Sequence, residues 1–247
     1  MIMDPLILQY VSLISITLLT SVITLFTGFG VGTIMMPVMA LFFDVKVAIF
    51  LAAIVHFFNN ISRILLYRRN LRRDILRRFG IVSVAGAFIG SFAQLYIQSA
   101  WLKSGVGIFL ILFALASLLP FPICWKFPPV VDLAGGFLSG LIGGLIGNQG
   151  AIRSLYLLNY RLDKQELIAS AAMIAVAIDA TRIPVYAVSN YGYLRENLML
   201  MLLVIFAAIA GTVIGGRILP KVSYEFFRRI ILVAVLGLGI MMAAGMI

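Results

Sequence analysis

A single cysteine, a single histidine and nine acidic residues stand in a chain of 247. One Cys124 excludes an intrachain disulfide, and one cysteine with one histidine cannot assemble a CxxC or HExxH metal site, so no metal and no cofactor is expected. An enzyme would need a nucleophile or metal cluster that this inventory does not supply, and the chain reads as a non-enzyme. The shortage of carboxylates also argues against a cation permease. No Lys or Arg precedes Lys46, and no small-residue cleavage site follows the first apolar run, which is therefore read as a permanent helix rather than a signal peptide.

What the chain has in quantity is hydrocarbon. Apolar residues make up 63%, charged residues 11%, and the mean hydropathy is +1.12, more than a water-soluble domain can carry on its surface. The solvent is lipid. A spanning helix needs roughly 20 apolar residues, so this length holds about eight to ten segments and leaves no room for a soluble domain. The net charge of +10 would suggest nucleic acid in a soluble protein. Here the basic residues fall between apolar runs, where the positive-inside bias places them, and no nucleic-acid partner is needed.

Apolar runs fall near 6–27, 31–43, 46–66, 79–98 and 102–119, and again near 131–147, 150–160, 165–187, 197–219 and 227–246. The segment FPICWKFPP between the two sets cannot continue a helix. The expected organisation is a first membrane repeat over 1–119, a Pro-rich linker at 120–129 and a second repeat over 130–247. AGAFIG from Ala85 aligns with AGTVIG from Ala210. Each half also reaches a Gly-rich break, TGFGVG at 27–32 and GGLIGNQG at 143–150, followed by a segment too short to span unaided. Interrupted segments at matching positions point to a transporter's substrate site. The loop at 67–78 carries six Arg and one Asp, whereas its counterpart around 188–197 carries one Arg and one Glu. The hairpin near 98–103 has only Lys103, and its counterpart has Arg217, Lys221, Arg228 and Arg229. With basic loops cytoplasmic, the halves insert upside down relative to each other; five spans per half put both termini outside and the linker inside, whereas re-entrant short segments lower the span count and reassign the termini. The fold class expected is all-α: a polytopic membrane protein of two inverted five-segment repeats with short broken or re-entrant helices.

Polar residues at membrane depth are few, and each is a functional candidate because of its cost in hydrocarbon. His56, Asn59, Asn60 and Arg63 share one face of the third segment by their spacing. Interhelical hydrogen bonding is the alternative role for His56. Asp179 and Arg182 stand at i, i+3 in the equivalent segment, close to where Asn60 and Arg63 fall when the halves are aligned. They read either as part of a site or as a structural salt bridge, and Arg63 and Arg182 lie near enough to segment ends to snorkel. The breaks are more specific, because amide groups at the start of a half-helix favour an anion. Asn148 and Gln149 add uncharged donors there, and Arg153 adds a forked cation suited to carboxylate, sulfonate or phosphate. Gly136 and Gly140, in GFLSG, read instead as a close helix contact.

TGFGVGTIMMP at 27–37, LSGLIGGLIGNQGAIRS at 138–154 and the paired AGxxIG motifs together resemble the TauE/SafE family of sulfite and organosulfonate exporters over essentially the whole chain. The second break departs from the family pattern, reading GNQGAI in place of a more glycine-rich run. The resemblance implies export of a small anion, sulfite or an organosulfonate such as sulfoacetate, across the bacterial inner membrane. The expected mechanism is alternating access around a site formed by Gly30, Asn59, Asn60, Asn148, Gln149, Gly150 and Arg153. His56, Asp179 and Arg182 are the expected coupling or polar-pair residues, with a proton or other ion as coupling partner. A passive anion channel, or a permease for another small organic anion, would share this site. The lipid bilayer is the other partner, and assembly into a homo-oligomer is left open.

Overall fold

The computed structural model describes residues 5–27, 31–118, 129–157, 160, 162–218 and 224–247. Gly30, Lys221, Cys124 and all of the linker except Pro129 lie outside the described residues. Among those described there are helices and no strands. We number them α1 (Pro5–Thr27), α2 (Gly32–Met39), α3 (Val45–Tyr67), α4 (Arg73–Tyr96), α5 (Ser99–Leu118), α6 (Pro129–Ile146), α7 (Gly150–Leu157), α8 (Lys164–Glu196), α9 (Leu198–Ile218) and α10 (Tyr224–Ala243). Each apolar run of the sequence has become one helix.

Six of them, α1, α3, α4, α5, α8 and α9, are long and apolar enough to cross a membrane, and α6 and α10 contain shorter apolar stretches. Large apolar side chains such as Leu6, Leu65, Ile81, Trp101, Leu112, Phe206 and Val233 face outward. In water they would be a liability; in hydrocarbon they are the solvated surface. This is a multi-pass membrane protein. By contrast α2 and α7 have eight residues each, a rise of about 12 Å, far short of a hydrocarbon core of roughly 30 Å.

Local chemistry sets several helix ends. Asp44 caps α3 by accepting from the Lys46 amide at 2.9 Å, and Asp163 and Glu166 form a reciprocal capping box at the start of α8, satisfying donors a helix start leaves open. The expected basic loop at 67–78 is largely helical, with a 3-10 turn at Arg68–Asn70 and a π turn at Leu76–Gly80 within α4. The segment around 188–197 is not a loop. α8 runs 33 residues to Glu196, and Asn197 alone separates it from α9. Ser189, Asn190 and Gly192 look like turn residues, but the Asn190 amide donates back to the Tyr186 carbonyl at 2.9 Å, so its polarity is absorbed within the helix.

The packing pairs exchange when the first five helices are swapped for the last five. α4 packs on α6 as α9 packs on α1; α3 meets α9 as α8 meets α4; α2 lies on α3 as α7 lies on α8; α3 with α8 and α5 with α10 pair across the halves. The α4–α6 contact is backbone on backbone. A methyl added to Gly140 would lie 1.9 Å from the Ser83 carbonyl oxygen, and one added to Gly86 would lie 2.1 Å from that of Phe137. Small residues allow this approach where helices have no hydrophobic driving force to associate. Gly140→Ala is therefore expected to destabilise by about 1 to 3 kcal/mol through overpacking. Gly105→Ala, whose added carbon meets nothing within 4 Å, should leave stability unchanged or slightly higher. Thermal unfolding of the detergent-purified proteins compares the two.

Candidate functional site

α3 and α8 cross at their middles. Past the end of α3, Arg72 meets the start of α8: its guanidinium lies 3.7 Å from Glu166 and its amide donates to Ser170 at 3.2 Å. Halfway along both helices His56 meets Asp179. Residue numbers rise in one helix as they fall in the other, so the two run antiparallel.

Four donors from three segments converge on Asp179, which is fully buried. His56 Nδ1 stands 2.6 Å from Oδ2. Oδ1 accepts from Arg182 Nε at 2.9 Å and Nη2 at 2.8 Å, and from Gln149 Nε2 at 3.3 Å. Arg182 Nη1 then donates to the Gly143 carbonyl at 2.8 Å, and the Tyr186 hydroxyl donates to the Gly144 carbonyl. α8 thus grips the last turns of α6: Arg182 is a second donor to the Gly143 carbonyl, which also accepts from the Gly147 amide at 3.0 Å, and Tyr186 satisfies the Gly144 carbonyl near the open helix end. Both arginines suspected of snorkelling, Arg63 and Arg182, are buried instead.

Gly32, the last residue of the first Gly-rich stretch, meets the second break at this centre. A methyl on Gly32, the first residue of α2, would stand 3.4 Å from the His56 ring and 3.7 Å from the Gly147 carbonyl oxygen. Gly147 itself has φ +81°, a left-handed conformation open to glycine at no steric cost. That turn ends α6 and sends the chain into α7, whose first residue is Gly150. Ser139 donates to the Gln149 carbonyl at 3.1 Å, pinning the break against α6.

Arg153, one turn into α7, is 2% exposed, and its Nε and Nη1 have no hydrogen-bond partner. Both polar atoms of the Asn148 side chain and Oε1 of Gln149 are likewise buried and unpartnered. Polar groups in such a setting normally pair, because desolvating them without a bond costs about 1 to 3 kcal/mol each. The charge is one-sided. Arg63, Arg153 and Arg182 are buried, and Arg153 acts electrostatically on His56, Asp179 and Arg63. Against them stands Asp179, since the other buried carboxylate among the described residues, Asp132, accepts from Tyr160 away from the centre. The arrangement is suited to a small anion.

Most residues singled out from the sequence fall here: His56, Asp179, Arg182, Gln149, Asn148, Gly150 and Arg153. Asn60 borders the centre but donates to the His56 carbonyl of its own helix at 2.7 Å. Asn59 does not face it; its amide goes to α9, to the Ala208 carbonyl at 3.0 Å and Thr212 Oγ1 at 2.6 Å. Tyr186, Thr212 and Ser139 escaped sequence reading. Only Tyr186 left a signal, standing four residues after Arg182 and so on the same helix face.

One comparison speaks to kinship. A family model described as sulfite exporter TauE/SafE matches residues 13–242. The chain belongs to the TauE/SafE family. No curated protein and no solved structure gives a significant match. As a TauE/SafE protein it falls in a family of membrane exporters, and the buried polar centre is its candidate site.

Asp179→Asn would leave Arg182 buried without its counter-charge. A loss of about 3 to 5 kcal/mol is expected, as for other broken buried pairs, whereas Asn148→Ala removes a side chain with no protein partner and should cost under about 1 kcal/mol. Parallel melting curves test the contrast.

Proposed function

We propose that this protein is a secondary carrier that exports a small oxyanion, sulfite or an organosulfonate such as sulfoacetate, across the bacterial inner membrane by alternating access. The observation that carries the reading is Arg153. It is a guanidinium buried in a membrane protein with two donor atoms unpartnered, held at the start of a half-helix whose amide end favours negative charge. Its forked donors match the oxygens of sulfite, sulfonate or carboxylate. Asn148 and Gln149 supply further hydrogen bonds beside it.

The antiparallel crossing of α3 and α8 and the exchangeable packing pairs support two inverted halves, 1–119 and 130–247, with the site between them. With the basic residues of 67–78 cytoplasmic, the start of α8 lies on that side too, and the Asp44 end of α3 faces outward. Rocking one half against the other then opens the centre to each side in turn. His56 and Asp179 form the natural coupling pair. A proton shared between them changes the charge an incoming anion meets, and histidine changes charge near physiological pH.

Two outcomes test this. Sulfite or a sulfonate should raise the thermal stability of the purified protein, by about 2.7 kcal/mol per site at one hundred times its dissociation constant, and Arg153→Ala should reduce the shift; no shift with any oxyanion would sink the reading. In proteoliposomes an imposed pH gradient should drive saturable sulfite transport. His56→Gln is expected to keep sulfite binding while losing the response to the gradient. Flux that rises linearly with sulfite concentration would identify a passive channel instead.

A further inference from the structure

The second halves of α3 and α8 align without a gap: Asn60, Ser62, Arg63, Ile64 and Tyr67 correspond to Asp179, Thr181, Arg182, Ile183 and Tyr186. The structure places the two arginines equivalently. Arg182 Nη1 donates to the Gly143 carbonyl near the end of α6 at 2.8 Å, and Arg63 Nη2 donates to Thr24 Oγ1 near the end of α1 at 2.9 Å. Thr24 and Gly143 are themselves in the register of that alignment.

One difference decides the pairing of the guanidinium. Three residues before Arg182 stands Asp179, whose Oδ1 accepts from Arg182 Nε. Three residues before Arg63 stands Asn60, which is neutral and spends its amide on the His56 carbonyl. The consequence falls on the corresponding atom: Arg63 Nε has no partner. Arg63 is 5% exposed, so bulk water does not compensate it, and the neighbouring formal charge it meets is that of Arg153, another cation. Among the described residues no carboxylate pairs with it.

The surroundings are polar. Ser21 lies one turn before Thr24 on α1, and Asn59 one turn before Arg63 on α3. Both are buried, and Ser21 Oγ and Asn59 Oδ1 have no partner. α9 joins them: Thr212 accepts from Asn59, and a methyl on the adjacent Gly211 would lie 2.7 Å from Ser21 Cβ. A guanidinium, a hydroxyl donor and an amide carbonyl thus line the junction of α1, α3 and α9.

We propose that Arg63 forms a second oxyanion subsite, in which an oxygen of the solute takes the place that the Asp179 carboxylate holds beside Arg182. The proposal rests on the anion-carrier reading and adds a stage to it. Arg63 lies one turn before the end of α3 and its run of arginines at 67–78, so the subsite stands between the cytoplasmic end and the centre. The side-on edge of Arg63 favours an anion with two oxygens over a spherical halide. Ser21 donates to the same anion, and Asn59 Oδ1 accepts from a hydroxyl or water that it carries.

The test is equilibrium dialysis of the purified full chain against radiolabelled sulfite, with melting curves in anion-free buffer. At saturation about two anions should bind per wild-type chain, one at each unpaired guanidinium. Asn60→Asp builds the missing carboxylate into the chain, and should halve the bound sulfite while raising the melting temperature. Arg63→Gln should also halve it, without that rise. If Asn60→Asp binds as much sulfite as wild type, the subsite is overturned. If wild type binds a single anion that Arg153→Ala abolishes and Asn60→Asp keeps, the subsite fails and the carrier reading stands. Binding of no sulfite at all overturns both.

Discussion

A carboxylate in hydrocarbon has to be surrounded by donors, and Asp179 is surrounded by donors drawn from three separate segments. His56 comes from α3, Gln149 from the break before α7, and Arg182 from α8 itself. The requirement to satisfy one buried charge therefore fixes where α3, α8 and the second break lie relative to each other. Through Arg182 it extends to the end of α6, where the guanidinium joins the Gly147 amide on the Gly143 carbonyl. Removing the carboxylate would loosen all four segments, so the candidate site is also a structural joint.

The glycine contacts make the polar centre affordable. Because α4 and α6 touch through Gly86, Gly136 and Gly140, they form a tight slab with no space for water or lipid between them. Arg182, which donates to the Gly143 carbonyl of α6, is buried against this slab, where a lower local dielectric strengthens its pairing with Asp179. Gly105, exposed on α5, is under no such constraint and meets open space.

Much of this was legible in the sequence because hydrocarbon is a demanding solvent. Ten apolar runs gave ten helices, the Gly-rich stretches flagged the two breaks, and Arg153, three residues past the second of them, is buried at the centre. What stayed hidden is tertiary. Spacing put His56 and Asn59 on one face of α3, but a face wide enough for both is shared by two neighbours: His56 meets α8 and Asn59 meets α9. Ser189 and Asn190 resembled a turn because turn propensity reflects competition with water, and a helix surrounded by lipid and protein has no water to lose to. The role of Tyr186 depends on a carbonyl of α6 that only the folded chain brings near.

The length of α8 carries a last consequence. Its 33 residues rise to about 50 Å, against a hydrocarbon core of roughly 30 Å, so the helix must project beyond the bilayer or lean within it. Pro184, five residues past Asp179, removes one backbone hydrogen bond and gives the rod a place to bend. Hydrophobic mismatch is relieved by tilt at a small cost per ångström. Where α8 leans instead of projecting, bilayer thickness bears on its tilt, and the helix that tilts is the one that carries Asp179.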